Sequence, residues 1–227
     1  MTLIELLVVL LVIAVIAILV VPAEVRGRTR AQRIRCNGNL KCVGIAFRIW
    51  EGDHDDRYPM SVSMMATNGG GTLEYVGSAK NTFRHFEIMS NELNTPKILF
   101  CPADTEPSRR QATMFGRPGP GFPTPPSVPP PVPFTANSNL SYFVGVDAAD
   151  IYPQMFLSGD RNLTNGLPPV GGLVTLTTNR VTVWTDAIHR SEGNIAFADG
   201  SVQGLKAKPL QSAVANTGFT TNRLAMP

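Results

Sequence analysis

Basic residues are missing from the first 25 positions of this 227-residue chain, and their absence excludes one kind of N-terminus. A secretory signal peptide carries positive charge ahead of its apolar core and a small-residue cleavage site after it. Here the first cationic side chain is Arg26, which follows the apolar run. The hydrophobic N-terminus is therefore expected to remain in the mature protein.

Cysteine is scarce, with three residues in the whole chain, Cys36, Cys42 and Cys101. No two of them have the C-x-x-C spacing that is typical of metal ligands. If the protein lies outside the cytoplasm, a disulfide is the expected use, because disulfides persist in an oxidising compartment. One cysteine must then stay free or pair between subunits.

Recognisable catalytic motifs are also lacking. Asp186, His189 and Asp199 form a small group of potential ligands, but one histidine is far short of a metal set. No Ser or Cys stands in a nucleophile context such as G-x-S-x-G. We expect no enzymatic activity and no cofactor, while a structural cation stays an open question.

The basic residues that follow the apolar run are not interleaved with aromatic residues before Phe47. A groove for nucleic acid would need such stacking platforms. The cluster from Arg26 to Lys41 is expected to be a solvated helix face that touches anionic headgroups before assembly. No nucleic-acid partner is predicted.

The chain opens with MTLIELLVVLLVIAVIAILVVP, a segment that is apolar all round and long enough, as a helix, for a bilayer core. From Leu6 to Val21 the run is unbroken, yet Glu5 lies at its leading edge. A carboxylate in such a setting is costly and normally has a partner. Segment 1–22 is predicted to be a membrane or filament-core helix.

The helix is predicted to continue to residue 52 with an amphipathic second half. Apolar residues recur at spacings of three and four, which places them on one stripe that faces the rest of the protein: Cys36, Leu40, Val43, Phe47 and Trp50. Gly52 is a terminator and Pro59 blocks continuation. Pro22 removes one helical hydrogen bond, so a kink or an unwound stretch is expected there.

Residues 53–227 are predicted to form a β-rich head. We expect a short helix near Phe83–Asn91, a buried strand at Lys97–Cys101 and an extended, solvated Pro-rich loop at 117–138. Three β-rich runs follow, and GNIAFADGSVQGL is typical of a hairpin. Its two-residue turn, Asp199-Gly200, would place Phe197 opposite Val202. The predicted fold class is α+β, a long N-terminal helix packed on a β-rich head.

The helix pattern also selects one disulfide. Cys36 lies on the stripe that faces the head, whereas Cys42 points about 120° away, alongside Ile45 and Ile49. Cys101 ends the apolar run KILFC. We therefore expect a Cys36–Cys101 disulfide and a reduced Cys42 that packs against a neighbouring helix.

The opening segment, with an acid at position 5 and a proline at position 22, resembles the mature N-terminus of type IV pilins and type II secretion pseudopilins. RCNGNLKCVGIAFRIWEGDHDDRYP, FCPADT and His189-x9-Asp199-Gly200 look like the large pseudopilin-like proteins of planctomycetes and verrucomicrobia that carry an H-x9-DG motif. The resemblance implies a pilin-like fold. It also implies that a prepilin peptidase cuts a leader before Met1, whose amine is then methylated.

The function that this resemblance implies is a structural subunit, a pilin or major pseudopilin, which polymerises into an extracellular type IV pilus-like filament through its apolar helix. Met1, Glu5 and Pro22 would serve assembly, with Glu5 pairing with the N-terminal amine of an adjacent subunit. The expected partners are copies of the chain, the inner membrane before assembly, and the assembly machinery. The alternative is a membrane-anchored extracytoplasmic domain that binds a ligand.

Overall fold

A helix of 50 residues, α1 (Leu3–Gly52), runs the length of the molecule and packs its second half on the head. The computed structural model describes residues 2–67, 69–116 and 129–227, without the side chains of 19–26. At 1.5 Å per residue α1 is about 75 Å long. It ends at Gly52, as predicted.

The backbone of α1 is helical through Pro22, so the predicted unwound stretch is absent from the single chain. Proline removes one hydrogen bond, and the intact turns on both sides keep the helix continuous. A kink at Pro22 within a filament stays a prediction.

The two halves of α1 differ completely in their surroundings. The predicted head-facing stripe is confirmed, because all five of its members are buried and none is more than 3% exposed. Residues 2–18, by contrast, are exposed along their whole length. Among the α1 residues whose side chains are described, the head therefore packs against the second half of the helix.

Among the residues with described side chains, no helix is both long enough and apolar enough to cross a membrane. Residue 1 and the side chains of 19–22 lie outside that set, so the predicted membrane segment 1–22 stays a prediction.

The head is built on a six-stranded antiparallel sheet whose strand order is β6-β10-β3-β4-β8-β9. The α+β class is thereby confirmed. Two short pairs lie beside the sheet, and a helix, α4 (Ala207–Asn216), follows β9. The strands are β1 (Met114–Phe115), β2 (Pro133–Phe134), β3 (Tyr142–Gly145), β4 (Phe156–Asp160), β5 (Leu163–Thr164), β6 (Leu173–Thr177), β7 (Val183–Trp184), β8 (Gly193–Phe197), β9 (Val202–Leu205) and β10 (Thr221–Ala225).

Both faces of the sheet are covered, which explains why β4 and β8 are buried at every position. Side chains on one face, such as Tyr142 and Val144, join the cluster that contains the α1 stripe. Phe143, between them in sequence, joins a second cluster with Leu210 and Val214 of α4. The sheet thus lies between α1 and α4, and alternate residues of one strand serve two cores.

The hairpin of β8 and β9 is confirmed, but the predicted register is wrong by one residue. Ala196, not Phe197, pairs with Val202, because the turn also includes Ala198 and Gly200 takes a left-handed conformation at φ 82°. A shift of one residue exchanges the two faces of a strand. Phe197 accordingly packs edge-on against Phe156 on the face away from α1.

The segment between α1 and the sheet is more helical than predicted. Two short helices, α2 (Arg84–Glu87) and α3 (Ser90–Leu93), replace the single helix expected near 83–91. The predicted strand at 97–101 is wrong, because Pro96–Leu99 forms a 3₁₀ helix. Thr95 caps this turn by accepting a hydrogen bond from Lys97 N, and proline at the first helical position favours it.

The described end of the predicted Pro-rich loop, residues 129–138, is partly buried. Residues 117–128 lie outside the described part of the chain. Within the described remainder, β2 pairs with β1 in parallel, and Phe134 is fully buried against Phe83 and Phe115. The end of the predicted loop therefore belongs to the core, because an aromatic anchor follows the prolines.

Stability should fall in mild acid because of one buried histidine in α2. His85 is fully buried, its Nδ1 lies 2.7 Å from Thr72 Oγ1, and burial lowers its pKa to about 4. The unfolded chain binds this proton near pH 6.5, so stability is lost as the pH falls from there towards 4. Between pH 8 and pH 5 the wild-type chain should lose about 2 kcal/mol more than His85→Gln.

Urea unfolding of both full-length chains in nonionic detergent, at the two pH values, measures this difference. Equal losses in the two chains would contradict a buried neutral imidazole at this position.

Candidate functional site

The acidic residue at the start of α1 has a partner within its own chain. Thr2 is the N-cap of α1: its Oγ1 accepts a hydrogen bond from Glu5 N, and Thr2 N donates to Glu5 Oε2 at 2.6 Å. This reciprocal pair is a capping box. The T-x-x-E pattern at residues 2–5 is its sequence signal, which the pairing argument for Glu5 overlooked.

The structure does not describe the side chains of the other two predicted assembly residues. Met1 lies outside the described residues, as does the side chain of Pro22. The pairing of Glu5 with the amine of a neighbouring subunit therefore stays a prediction, now alongside the capping role.

The predicted disulfide between α1 and the head is confirmed. Cys36 and Cys101 are bonded, are fully buried and have their Cα atoms 5.4 Å apart, whereas Cys42 is free and exposed. Gln32 Nε2 donates to Pro102 O at 3.2 Å and Asn39 Nδ2 to Phe100 O at 3.4 Å. Polar side chains of α1 therefore hold the chain on both sides of Cys101.

His189 lies directly beside this disulfide on an unusual backbone. His189, Arg190 and Ser191 all have φ between 53° and 60°, a left-handed conformation that costs about 1–2 kcal/mol for each non-glycine residue. Asn162 stabilises the turn, since its Nδ2 lies 2.8 Å from the carbonyl oxygens of Thr185 and Ile188. Strain of this kind is kept where the surroundings determine a functional geometry.

The left-handed turn is also tied to α1. Arg33 Nη2 donates to His189 O at 3.3 Å, and its guanidinium forms an ion pair with Glu192. The start of the H-x9-DG segment is therefore fixed to the same stretch of α1 that carries Cys36.

The end of the segment contacts α1 a second time. Asp199 Oδ1 accepts from Ser201 N at 2.8 Å and so shapes the turn, as expected for a turn residue. Arg48 Nη1 donates to Ala198 O at 2.9 Å and to Asp150 Oδ1 at 2.7 Å. Arg33 and Arg48 lie about 22 Å apart along the helix. Their hydrogen bonds to His189 O and Ala198 O therefore hold the H-x9-DG segment, which contains β8, against α1 at both of its ends.

A buried cluster of four potential ligands lies where Arg33 contacts the turn at His189. The atoms Cys36 Sγ, Cys101 Sγ, His189 Nε2 and an oxygen of Asp160 all lie within 4.8 Å of one another, and all four residues are buried. His189 Nε2 is 3.3 Å from Cys101 Sγ and 3.7 Å from Asp160 Oδ2. We call these four residues the buried cluster.

The electrostatics of the buried cluster disfavour the charged forms of both titrating groups. Burial, opposed by hydrogen bonds from Asn194, raises the pKa of Asp160 to about 7. Burial and the charge of Arg33 lower the pKa of His189 to about 4. Asp160 Oδ2 accepts from Asn194 N at 2.7 Å and from Asn194 Nδ2 at 2.9 Å.

The sequence grouped His189 with the wrong acids. Asp186 accepts a hydrogen bond from Ser191 Oγ, and Asp199 accepts one from Ser201 N in the hairpin turn. The carboxylate beside His189 belongs instead to Asp160, at the end of β4. Its only local signal is an acid in the apolar run MFLSGD. The position of β4 next to β8 brings the two residues together.

No protein-family profile, curated protein or solved structure matches this chain.

Proposed function

We propose that this chain is a pilin-like structural subunit that polymerises into a filament through the first half of α1. The observation that carries the proposal is the exposed apolar surface of that half. Its large side chains from Leu3 to Ile18 are between 49% and 79% exposed in the single chain. A contiguous apolar surface of this extent marks a protein or membrane interface.

The second half of α1 offers a further apolar stripe on the side away from the head. Ile34, Ile45 and Ile49 are at least 50% exposed, and Cys42 lies in the same row. Spacings of eight, three and four keep these residues on one face. The stripe continues the apolar surface towards the head, which suits helix-to-helix contact between copies of the chain.

The attachment of α1 to the head at several points suits a filament subunit, in which helix and head must stay together. The Cys36–Cys101 disulfide, the Arg33 contacts and the Arg48 contacts bind α1 to the head at separate points along the helix. A head fixed in this way would follow its helix into the filament. The unassembled chain would reside in the inner membrane, and the assembled filament at the cell surface or outside the cell.

The charge of Glu5 is expected to be needed for assembly. Glu5→Gln keeps the capping box, because Gln also serves at that position, but removes the charge that would pair with a neighbouring amine. Filament yield should fall at least about tenfold, which corresponds to about 1.4 kcal/mol per subunit contact. Electron microscopy and quantitative blotting of sheared surface material, alongside the membrane-bound pool, provide the measurement.

Thr2→Ala is the matched control, since it removes the cap and leaves the charge. It should assemble at close to wild-type yield. If Thr2→Ala lost assembly and Glu5→Gln kept it, Glu5 would act through the helix cap alone.

The alternative function, an anchored ligand-binding domain, would use the head. A cleft of about 400 Å³ lies there between Thr72, Tyr75 and Arg84. An anchor needs no charge at residue 5. Absence of helical filaments in sheared material from wild-type cells would favour this alternative.

A further inference from the structure

The structure assigns the buried cluster a second use: when the Cys36–Cys101 disulfide is reduced, Cys36, Cys101, His189 and Asp160 bind one zinc ion. The ion would replace the disulfide as the link between α1 and the head. This inference rests on the geometry of the joint and is independent of the proposed function.

The ligand types suit zinc. Structural zinc sites are closed, four-coordinate and tetrahedral, with ligands drawn from Cys, His and acidic side chains. The buried cluster supplies two sulfurs, one imidazole and one carboxylate, and all four residues are buried. No local pattern predicts this site, because the ligands lie at positions 36, 101, 160 and 189, without any short spacing.

Two distances in the buried cluster are already close to those of a tetrahedral site. Bond lengths of about 2.3 Å to sulfur and about 2.0–2.2 Å to nitrogen or oxygen separate neighbouring ligand atoms by about 3.3–3.8 Å. His189 Nε2 lies 3.3 Å from Cys101 Sγ and 3.7 Å from Asp160 Oδ2. The two bonded sulfurs must move apart, by side-chain rotation once the covalent bond is broken, and the ion would bind Oδ1 of Asp160, the oxygen of that carboxylate that has no hydrogen-bond partner among the described residues.

An unsatisfied oxygen in the buried cluster independently indicates a ligand. Asp160 Oδ1 is buried and has no hydrogen-bond partner in the described part of the chain. A buried acceptor without a partner is costly, and coordination of a cation would satisfy it. Asn194 holds the other oxygen of the same carboxylate, as outer partners do for metal ligands.

The surroundings hold the ligands in place. The left-handed turn at His189 is fixed by Asn162 and Arg33, and Cys36 projects from the buried face of a long helix. The imidazole and the helix backbone at Cys36 therefore keep their positions when the disulfide opens. Preorganised ligands on rigid elements favour a specific site.

The chemistry balances in two steps. A phosphine reductant and water convert the disulfide into two thiols, and the phosphine takes up the oxygen as phosphine oxide. Zn²⁺ then displaces one proton from each thiol, forming two zinc–thiolate bonds and releasing two protons.

The test uses the full-length Cys42→Ser chain in nonionic detergent, which leaves the two sulfurs of the buried cluster as the only thiols. One portion stays oxidised and one is reduced with a water-soluble phosphine, and both are stripped with a chelator. Cobalt(II) is the probe, because its spectrum reports thiolate ligation and tetrahedral geometry. The reduced chain should bind one equivalent with a thiolate-to-cobalt charge-transfer band, zinc should displace it, and the oxidised chain should bind none.

Variants identify the remaining ligands. Asn194→Ala should weaken cobalt affinity about 10–100-fold, as loss of an outer partner does, and His189→Gln should lose the tetrahedral spectrum. Circular dichroism follows the fold of each sample. Metal-dependent recovery of structure in the reduced chain would support the site, as coupled folding does.

The inference is overturned if the reduced chain, folded or not, takes up no stoichiometric tetrahedral cobalt. It is equally overturned if the oxidised chain binds as well as the reduced one, if 8 M urea leaves the affinity of the reduced chain unchanged, or if His189→Gln and Asp160→Asn both bind with wild-type affinity.

Discussion

Replacing Cys36 and Cys101 together by alanine should lower the free energy of unfolding by about 4 kcal/mol. The disulfide closes a loop with a sequence separation of 65 residues. In the chain-entropy account, a crosslink of this length restricts the unfolded chain by about that amount. The loss is large because the closed loop is long, since the bond joins α1 to a distant part of the chain in the head.

Urea unfolding of the oxidised chain and the double variant, in nonionic detergent with a chelator present, measures the difference. Cys42→Ala is the matched control, and because Cys42 is exposed it should change the free energy by less than about 0.5 kcal/mol. The phosphine-reduced wild type should behave like the double variant, since it loses the same crosslink but keeps both sulfurs. Peptide mapping that recovers Cys42 joined to Cys101 would contradict the assignment.

The second large effect concerns the buried ion pair of Asp104 with Arg161. The Asp104 side chain is fully buried, and Arg161 grips it with two hydrogen bonds of 2.8 Å while Ser141 Oγ donates a third. Burial alone would raise the pKa of Asp104, and the hydrogen bonds and charge of Arg161 outweigh it and hold that pKa below its ordinary value. The carboxylate is therefore charged in the core and depends on its partner.

Arg161→Leu should lower the free energy of unfolding by about 3–5 kcal/mol at pH 7, because it removes the charge paired with a buried carboxylate and leaves only the Ser141 hydrogen bond and the charge of Arg109. The loss should shrink as the pH falls from 7 towards 4, because without Arg161 burial raises the pKa of Asp104 and the variant takes up a proton there sooner than the wild type does. Chemical denaturation of wild type and variant at pH 7 and pH 4 measures both parts of the effect.

An exposed pair of the same residue types provides the control. Arg223 contacts Asp147 through two nitrogens, but the Arg223 side chain is 49% exposed. Arg223→Leu should cost less than about 1 kcal/mol, since solvent screens such pairs. Equal losses in the two variants would show that burial does not govern the strength of these ion pairs.

Periodicity along the chain was enough to predict the helical part of this fold. The spacing of Cys36, Leu40, Val43, Phe47 and Trp50 predicted the buried face of α1 and the disulfide partner of Cys101, and Gly52 with Pro59 predicted the end of the helix. Helical patterns are local, since residues three and four apart share a face whatever packs on it. The β-rich runs and the β8–β9 hairpin were predictable for the same reason.

Features that depend on exact register or on distant neighbours were decided by the tertiary structure. One added turn residue moved Phe197 to the other face of the sheet, and a capped 3₁₀ turn replaced the strand before Cys101. His189 lies beside Asp160 rather than Asp186 or Asp199, because β4 and β8 are neighbours in the sheet. The sequence by itself determined the helix, its apolar surfaces and the crosslink. Only the pairing of strands far apart in the chain placed a carboxylate, an imidazole and two sulfurs around one point, because no local spacing records which strands become neighbours.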